Sequence, residues 1–280
     1  MQKAKKIIKA FNPHVVIGVG GYVSGPVLKV AAQKNIPTLI QEQNSYPGIT
    51  NKILAKKAKI ICTAYDNLEK YFDVKKTVKT GNPVRQDIVT MSNESEKAYE
   101  YFKLQPNKKT VSVIGGSLGA KTINESILEI VENFVNQDVQ LIWQTGEYYY
   151  NTIPDEIKQM KGIRIHAFIQ RMDYLYQVSD VIVSRAGALS ISELCIVAKP
   201  CILVPSPNVA EDHQTKNANV LVNAGAAVCV ADKDTKDKLE GAIFEVLKDE
   251  TKQKTMSENL KKLAIPDASK RIVNEIKKLL

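Results

Sequence analysis

The chain has 280 residues, 44% of them hydrophobic and 25% charged, enough for two domains of ordinary size with real cores. No apolar run approaches the ~18 residues of a membrane span, and the basic start MQKAKKIIKAF lacks the apolar core and cleavage site of a signal peptide, so a cytoplasmic protein is expected. The net charge of +9 is read as lysine-rich solvated helix faces, and the four scattered cysteines, with no C-x-x-C pair, as small buried hydrophobes in a reducing compartment.

Short apolar runs alternate with helical patterns from one end of the chain to the other. Lys3, Lys5, Lys6 and Lys9 flank Ile7, Ile8 and Phe11. This reads as an ordinary helix with one buried stripe in preference to a membrane-facing amphipathic one. Strands are predicted at Val15–Val19, Thr38–Gln41, Ile60–Thr63 and near Val78, then at Thr110–Ile114, Gln140–Trp143, Arg164–Ala167, Val181–Ser184, Cys201–Val204 and Ala227–Val230. Helices are predicted between them at Ser24–Lys34, Ile49–Lys57, Leu118–Asn133, Leu189–Val197 and Gln214–Ala224. Helical pattern dominates from Lys236, with a break at Ile265-Pro266-Asp267, where Asp267 would cap a last helix.

This alternation predicts parallel sheets with helices on both faces. The polar stretch from Gly81 to Lys109 marks a boundary, after which the β-α pattern restarts with its own glycine loop. Two Rossmann-like domains facing a cleft is the simplest architecture, with the carboxyl ends of both sheets around one ligand.

Several junctions offer chemistry. Gly115-Gly116-Ser117-Leu118-Gly119-Ala120 follows a strand and opens a helix, so free N–H groups and glycine backbone can approach a pyrophosphate. Its spacing is neither G-x-G-x-x-G nor a P-loop. Ser184 to Glu193 repeats the strand-to-helix arrangement, and Glu193 could accept the hydroxyls of a ribose or simply favour the helix dipole. A polar loop from Pro205 to Ala218 carries Asp212, His213 and Gln214. In the first half, Gln41-Glu42-Gln43-Asn44 sits at a strand end, Gly18 to Pro26 holds four glycines, and Arg85 follows Thr80-Gly81-Asn82-Pro83-Val84. Each of these, taken singly, is equally well read as loop structure. Asp232-Lys233-Asp234 has the D-x-D form of some metal-binding glycosyltransferases. Asp234 reads better as the N-cap of a helix from Thr235, with Asp237 at its third position, so no metal is assigned.

In order, the blocks GVGGYVSGP, QEQNSYPGITNKILAKKA, TGNPVR, VIGGSLGA, AFIQRM, SDVIVSRAGALSISEL and EDHQTKNANVLVNAGAA resemble the MurG family, within glycosyltransferase family 28. The resemblance runs from near residue 12 to the C-terminal IPDASKRIVNEI. It implies a GT-B fold: an acceptor-side domain over residues 1–85, a UDP-GlcNAc domain over 86–265, and a helix over 266–280 returning to the first. It implies inverting transfer of N-acetylglucosamine (GlcNAc) from UDP-GlcNAc to the C4 hydroxyl of the muramyl sugar of lipid I, giving lipid II, without metal or cofactor. Ser117 would meet the diphosphate and Ile169 the uracil. Ala188, Leu189, Ser190, Ile191, Ser192 and Glu193 would line the nucleotide, with Glu193 on the ribose. Gln214 would contact the GlcNAc, and Asn44 and Arg85 would approach the donor from the first domain. Gly20, Gly21 and Tyr22 would face the lipid pyrophosphate. The implied setting is peripheral, on the cytoplasmic face of the membrane, where basic residues near the N-terminus suit an anionic leaflet. Other cell-wall synthesis proteins are implied as partners, and nucleic acid is not.

The family also carries an earlier β-α unit whose GGTGGH-like loop bears a histidine proposed as general base. Here seventeen residues precede Gly18, no such loop occurs, and His14 precedes a strand instead of following one. The expectation is a first domain lacking roughly its first third to half, with Val15–Val19 at or near an open edge. UDP binding is expected to survive, transfer to be impaired, and the catalytic base stays unassigned. The alternatives are a UDP-sugar transferase acting on another glycolipid, a UDP-GlcNAc 2-epimerase, and a UDP-GlcNAc-binding polypeptide without turnover.

Overall fold

The computed structural model describes all 280 residues. They form two compact units, one of residues 1–84, 209–217 and 265–280, the other of residues 85–208 and 218–264.

The first unit holds α1 (Gln2–Phe11), β1 (Val16–Gly18), α2 (Gly21–Gln33), β2 (Thr38–Glu42), α3 (Ile49–Ala55), β3 (Ile60–Thr63) and β4 (Thr77–Lys79), together with the chain's last helix, Ala268–Lys277. Its four strands are parallel and run β1-β2-β3-β4, so β1 is an edge. β2 is buried along its whole length, polar Thr38, Gln41 and Glu42 included, so the strand is covered on both faces and those side chains must find partners within the protein. Ala4 and Ile8 of α1 pack on Val30 and Ala31 of α2, which is the expected buried stripe. Ile7 and Phe11, also one turn apart, form a second stripe that stays exposed, at 51% and 79%.

The second unit holds α4 (Gln86–Val89), α5 (Ser95–Phe102), β5 (Thr110–Ile114), α6 (Lys121–Asn136), β6 (Gln140–Gln144), α7 (Glu147–Tyr150), α8 (Asp155–Lys158), β7 (Ile163–His166), α9 (Met172–Val178), β8 (Val181–Ser184), α10 (Ala188–Val197) and β9 (Cys201–Leu203). There follow α11 (His213–Asn223), whose first residues belong to the first unit, then β10 (Val228–Cys229), α12 (Thr235–Lys248) and α13 (Glu250–Leu263). The six strands are all parallel, in the order β10-β9-β8-β5-β6-β7. Read from β7, this is the 3-2-1-4-5-6 order of dinucleotide-binding folds, and it reverses between β5 and β8.

The core of this unit lies between the sheet and helices whose apolar residues recur at helical spacing. On α6 these are Ile123, Ile127, Ile130, Val131 and Phe134, packed with Val111, Trp143 and, from α12, Leu239, Ile243 and Phe244. Each fully buried side chain of this size contributes about 1.5–3 kcal/mol by leaving water.

The structure departs from the sequence reading in several elements. The polar stretch around Asn93–Glu96 leads into α5, because Ala98 and Phe102, four apart, bury one side of a short helix that ends at Lys103 with φ 52°. α9 has no counterpart among the predicted helices, yet it buries Tyr174, Leu175, Tyr176 and Val178. Asp234 and Asp267 do stand at N-cap positions, but neither side chain bonds a helix N–H. Their carboxylates accept instead from Lys238 at 2.9 Å and Arg271 at 2.8 Å, one turn on, because a long cation on an exposed helix reaches them first. Residues 209–217, read with the second domain, belong to the first unit, and Arg85, read with the first, opens the second.

Candidate functional site

In an open parallel sheet, ligands bind beyond the carboxyl ends of the strands where the strand order reverses. In the second unit that place lies between β5 and β8. The loop leaving β5 is Gly115 to Ala120 and the loop leaving β8 is Arg185 to Gly187, the two glycine-containing junctions singled out above.

The β5 loop is held closely. The Gly119 N–H donates to the Gly116 carbonyl at 3.2 Å, closing a tight turn. Ser117 and Leu118 are exposed at its tip. α6 therefore begins at Lys121, three residues later than the helix expected from Leu118. Gly119 has φ +77°, and a Cβ there would lie 2.2 Å from the Thr145 carbonyl oxygen. Gly146, with φ +83°, presses on it from the loop after β6, where a Cβ would lie 2.4 Å from the Gly119 nitrogen. Only glycine tolerates both the left-handed backbone and the approach. Beneath this contact, the Trp143 indole donates to Asn124 Oδ1 at 3.0 Å and Asn124 Nδ2 donates to the Thr145 carbonyl at 2.9 Å, all buried. The turn thus rests on a satisfied polar bridge between α6 and β6.

Ile169 is 2% exposed, and its N–H donates to the Oε1 of buried Gln144 at 2.9 Å, which ties the loop after β7 to the end of β6. Along α10, no side chain caps the N-terminus at Gly187. Ala188 and Ser190 are half-buried and Leu189 is exposed, while Ile191 is 2% exposed and turns into the core. Ser192 donates to the Ala188 carbonyl at 3.0 Å. Glu193 is half-buried and accepts from the Tyr176 hydroxyl at 2.8 Å. Burial pushes the Glu193 carboxyl up from the ordinary carboxylate range, while the Tyr176 hydrogen bond and the Arg85 charge pull it back. Arg85 itself forms an ion pair with Asp87 at 3.0 Å.

Arg185 does not present its charge to a ligand. Its guanidinium donates to Asp232, to the Thr122 hydroxyl at 3.1 Å and to the Val204 carbonyl at 3.2 Å. Thr122 in turn donates to Asp232 at 2.5 Å. Asp232 and Asp234, the two acids of the D-x-D, are therefore engaged by different partners, Arg185 and Lys238. Burial pushes the Cys62 thiol up to about 11 and the Cys195 thiol up to about 12, so both stay protonated at neutral pH.

The first unit has its own concave site, a cavity of about 330 Å³. Gly20 and Gly21 line it from the start of α2, Gln41, Glu42 and Asn44 from the end of β2, and His213 from the start of α11. Glu42 is 2% exposed, and its carboxylate accepts from the Asn44 N–H at 3.0 Å, Asn44 Nδ2 at 3.3 Å, the Gly48 N–H at 3.2 Å and Asn51 Nδ2 at 2.8 Å. Four donors make it the anchor of loop 43–48. Asn217, fully buried, accepts from the Ser45 N–H at 2.9 Å and donates to Asn44 Oδ1 at 3.0 Å. The Tyr46 ring lies under the ammonium groups of Lys52 and Lys216, at 4.0 and 3.5 Å. Sequence reading quoted Glu42 and Asn217 within their blocks but gave neither a role, because each stands among other polar residues and its burial, which obliges it to be hydrogen-bonded, shows only in the fold. Tyr22, on the exposed side of α2, is 86% exposed. Gln214 follows His213 on α11 and lies with the first unit.

Of the expected nucleotide residues, the second unit holds Ser117 and Ile169 in the loops after β5 and β7 and Ala188 to Glu193 along the first turns of α10, with Ile191 turned into the core and Arg85 near Glu193. It does not include Asn44 or Gln214, which belong with Gly20, Gly21 and Tyr22 in the first.

The model of the glycosyltransferase family 28 C-terminal domain matches residues 110–272, and that of the family's N-terminal domain matches residues 1–63. The chain is 51% identical over 282 residues to the UDP-N-acetylglucosamine--N-acetylmuramyl-(pentapeptide) pyrophosphoryl-undecaprenol N-acetylglucosamine transferase of Parabacteroides distasonis, covering all of this chain and 77% of that protein. To the transferase of the same name from Bacteroides thetaiotaomicron it is 50% identical, over 99% of this chain and 76% of the other. Among solved structures, Acinetobacter baumannii MurG superposes with a TM-score of 0.78 at 27% identity, covering 99% of this chain and 77% of that one. A UDP-GlcNAc 2-epimerase from Neisseria meningitidis, 15% identical over 99% of this chain and 80% of that one, shares the fold alone at a TM-score of 0.69. The matched domain models and the end-to-end identity establish that the chain belongs to glycosyltransferase family 28.

Proposed function

We propose that the chain is the GlcNAc transferase of lipid II synthesis, moving the sugar from UDP-GlcNAc to lipid I with inversion at the anomeric carbon. The observation that carries this reading is the identity of about half of all residues, along the full length of the chain, with relatives named for that reaction. The acceptor's C4 hydroxyl forms the new bond to the anomeric carbon as the bond to UDP breaks, and the hydroxyl proton leaves to a base this reading does not name.

The residues present suit the two substrates. A diphosphate fits the turn at Gly115–Ala120 and the N-terminus of the sixteen-residue α6, where free N–H groups and the helix dipole favour a leaving anion. Ser117 supplies a hydroxyl there, Ile169 borders the uracil, and Ala188 to Ser192 line the nucleotide through backbone and small side chains. Glu193 accepts from the ribose. Gln214 and Asn44 reach the donor sugar, and Arg85 supports the nucleotide from beside Glu193. Gly20, Gly21 and Tyr22, by the cavity of the first unit, receive the lipid pyrophosphate.

The first unit also supports peripheral attachment to an anionic membrane. No helix of the chain is long and apolar enough to cross a membrane. α1 carries Lys3, Lys5, Lys6 and Lys9 beside exposed Ile7 and Phe11, and α3 exposes Ile49 and Ile53, at 64% and 61%. Apolar insertion and lysine attraction then act together, so binding to vesicles should weaken as salt rises.

A second reading, UDP-GlcNAc binding without turnover, is favoured by the unpaired edge of β1 in the acceptor-side unit, where Ile17 and, just beyond the strand, Val19 are 42% and 61% exposed. One pair of measurements separates the two: calorimetry with UDP-GlcNAc, and lipid II formation from lipid I by the purified chain. Binding with turnover supports the first reading, and binding alone supports the second. Failure to bind UDP-GlcNAc sinks both.

A further inference from the structure

Tyr176 has no place in the reading above, yet its hydroxyl is the one protein donor on Glu193. It sits on α9 with 2% of its surface exposed, and its O–H donates to Glu193 Oε2 at 2.8 Å. A buried phenol needs a hydrogen-bond partner, and an ionised carboxylate can only accept, so the direction of this bond is fixed. The other carboxylate oxygen, Oε1, takes no hydrogen bond from the chain. α10 carries Glu193 beside the switch point, α9 carries Tyr176 behind it, and the charged groups that face the pair are Arg85 and Asp87 from the start of α4. One oxygen is thus pinned from the core side and the other is left for a ligand.

We propose that Tyr176 is a positioning residue that fixes the Glu193 carboxylate so that its second oxygen accepts the ribose hydroxyls, making the Tyr176–Glu193 pair the element that selects a ribonucleotide over its deoxy forms. This rests on the reading that Glu193 meets the ribose. A charge-assisted hydrogen bond of fixed geometry discriminates strongly against a ligand lacking the hydroxyl, because the carboxylate is then left half-satisfied. Without the pin, Glu193 can turn toward Arg85 and the discrimination weakens.

The test uses binding and needs no turnover. Calorimetry on the full 280-residue chain compares UDP with 2′-deoxy-UDP and 3′-deoxy-UDP. The unaltered protein should prefer UDP by about ten- to hundredfold over at least one of them. Tyr176→Phe should weaken UDP and leave the deoxy forms nearly unchanged, so the preference shrinks to about threefold or less. Equal weakening of all three would mean a merely structural role and overturn the proposal. Glu193→Ala tells the two layers apart. If it abolishes the preference while Tyr176→Phe keeps it, the ribose reading stands and the proposal falls. If Glu193→Ala keeps the preference, the ribose reading itself fails. Should Tyr176→Phe not fold, 3-fluorotyrosine at position 176 reports directly: its ¹⁹F resonance should move with UDP and much less with the deoxy form that binds more weakly, and equal shifts overturn the proposal.

Discussion

Replacing Gly119 with alanine tests whether the β5 turn is the rigid cradle described above. The residue has φ +77°, where a non-glycine residue pays roughly 1–2 kcal/mol in backbone strain. The new methyl would also meet the Thr145 carbonyl oxygen at 2.2 Å and the Tyr149 ring at 2.6 Å. The ring can swing aside, but the carbonyl is fixed by the Asn124 amide and belongs to a backbone segment bonded to β7 at 2.9 Å. Overpacking against fixed backbone adds about 1–3 kcal/mol. The combined cost, about 2–5 kcal/mol, lowers Tm by roughly 5–15 °C for a unit of this size. Scanning calorimetry reads the stability, and titration with UDP reads the site. Both should fall if, as proposed, the displaced turn offers its N–H groups to the diphosphate. Gly119→Ala with Tm unchanged within two degrees or so and with full UDP affinity would refute the claim that the Gly119–Gly146 contact sets the loop.

The buried bridge below the turn gives a second variant. Asn124→Ala strands the Trp143 indole N–H and should cost about 1–3 kcal/mol in denaturant unfolding while weakening UDP without touching it. Asp232→Asn weakens the pairing with Arg185, whose side chain is 18% exposed, and should destabilise by up to about 3 kcal/mol; UDP affinity should be the same with and without a chelator, and a chelator-sensitive affinity would revive the D-x-D as a metal site. His166 gives a pH dependence. Burial first, and Arg164 second, lower its pKa from the ordinary value, so the unfolded chain takes up a proton that the folded chain resists. Its contribution to stability is therefore present above the ordinary histidine range, near about 6.5, and lost as pH falls through that range toward the lowered value. His166→Gln should flatten the slope of Tm against pH between about 7.5 and 5.5, and an unchanged slope would count against the assignment.

The sheets were legible because parallel strands covered on both faces read mostly as short apolar runs, and Leu141–Trp143 and Val181–Val183 are such runs, with Val111–Ile114 broken only by Ser112. Glycine junctions were legible for an equally local reason, since close backbone approach and left-handed φ both demand glycine. The short helices α5 and α9 were not, because each buries only a few residues and owes its existence to what it packs on. Asp234 and Asp267 misled for a related reason. Sequence gives the cap position, but which donor a carboxylate meets depends on where a lysine or arginine one turn away can reach.

The same limit separates the two parts of the proposed nucleotide site. Backbone features such as Gly115–Ala120 can be read along the chain because their chemistry is carried by consecutive residues. Pairings such as Tyr176–Glu193, Arg185–Asp232 and Trp143–Asn124 join residues 17 to 47 positions apart through the packing of helix on sheet. Burial makes each pairing obligatory, since an unpaired phenol, guanidinium or indole N–H would carry an uncompensated desolvation cost. Burial is also what no local pattern reports. A tyrosine in an apolar stretch reads as core, and Tyr176 is core; its hydroxyl acquires a function only because α10 brings a glutamate to it. Residues that touch substrate are thus partly legible in sequence, while those that hold them in place become visible once the fold shows which polar atoms have been buried together.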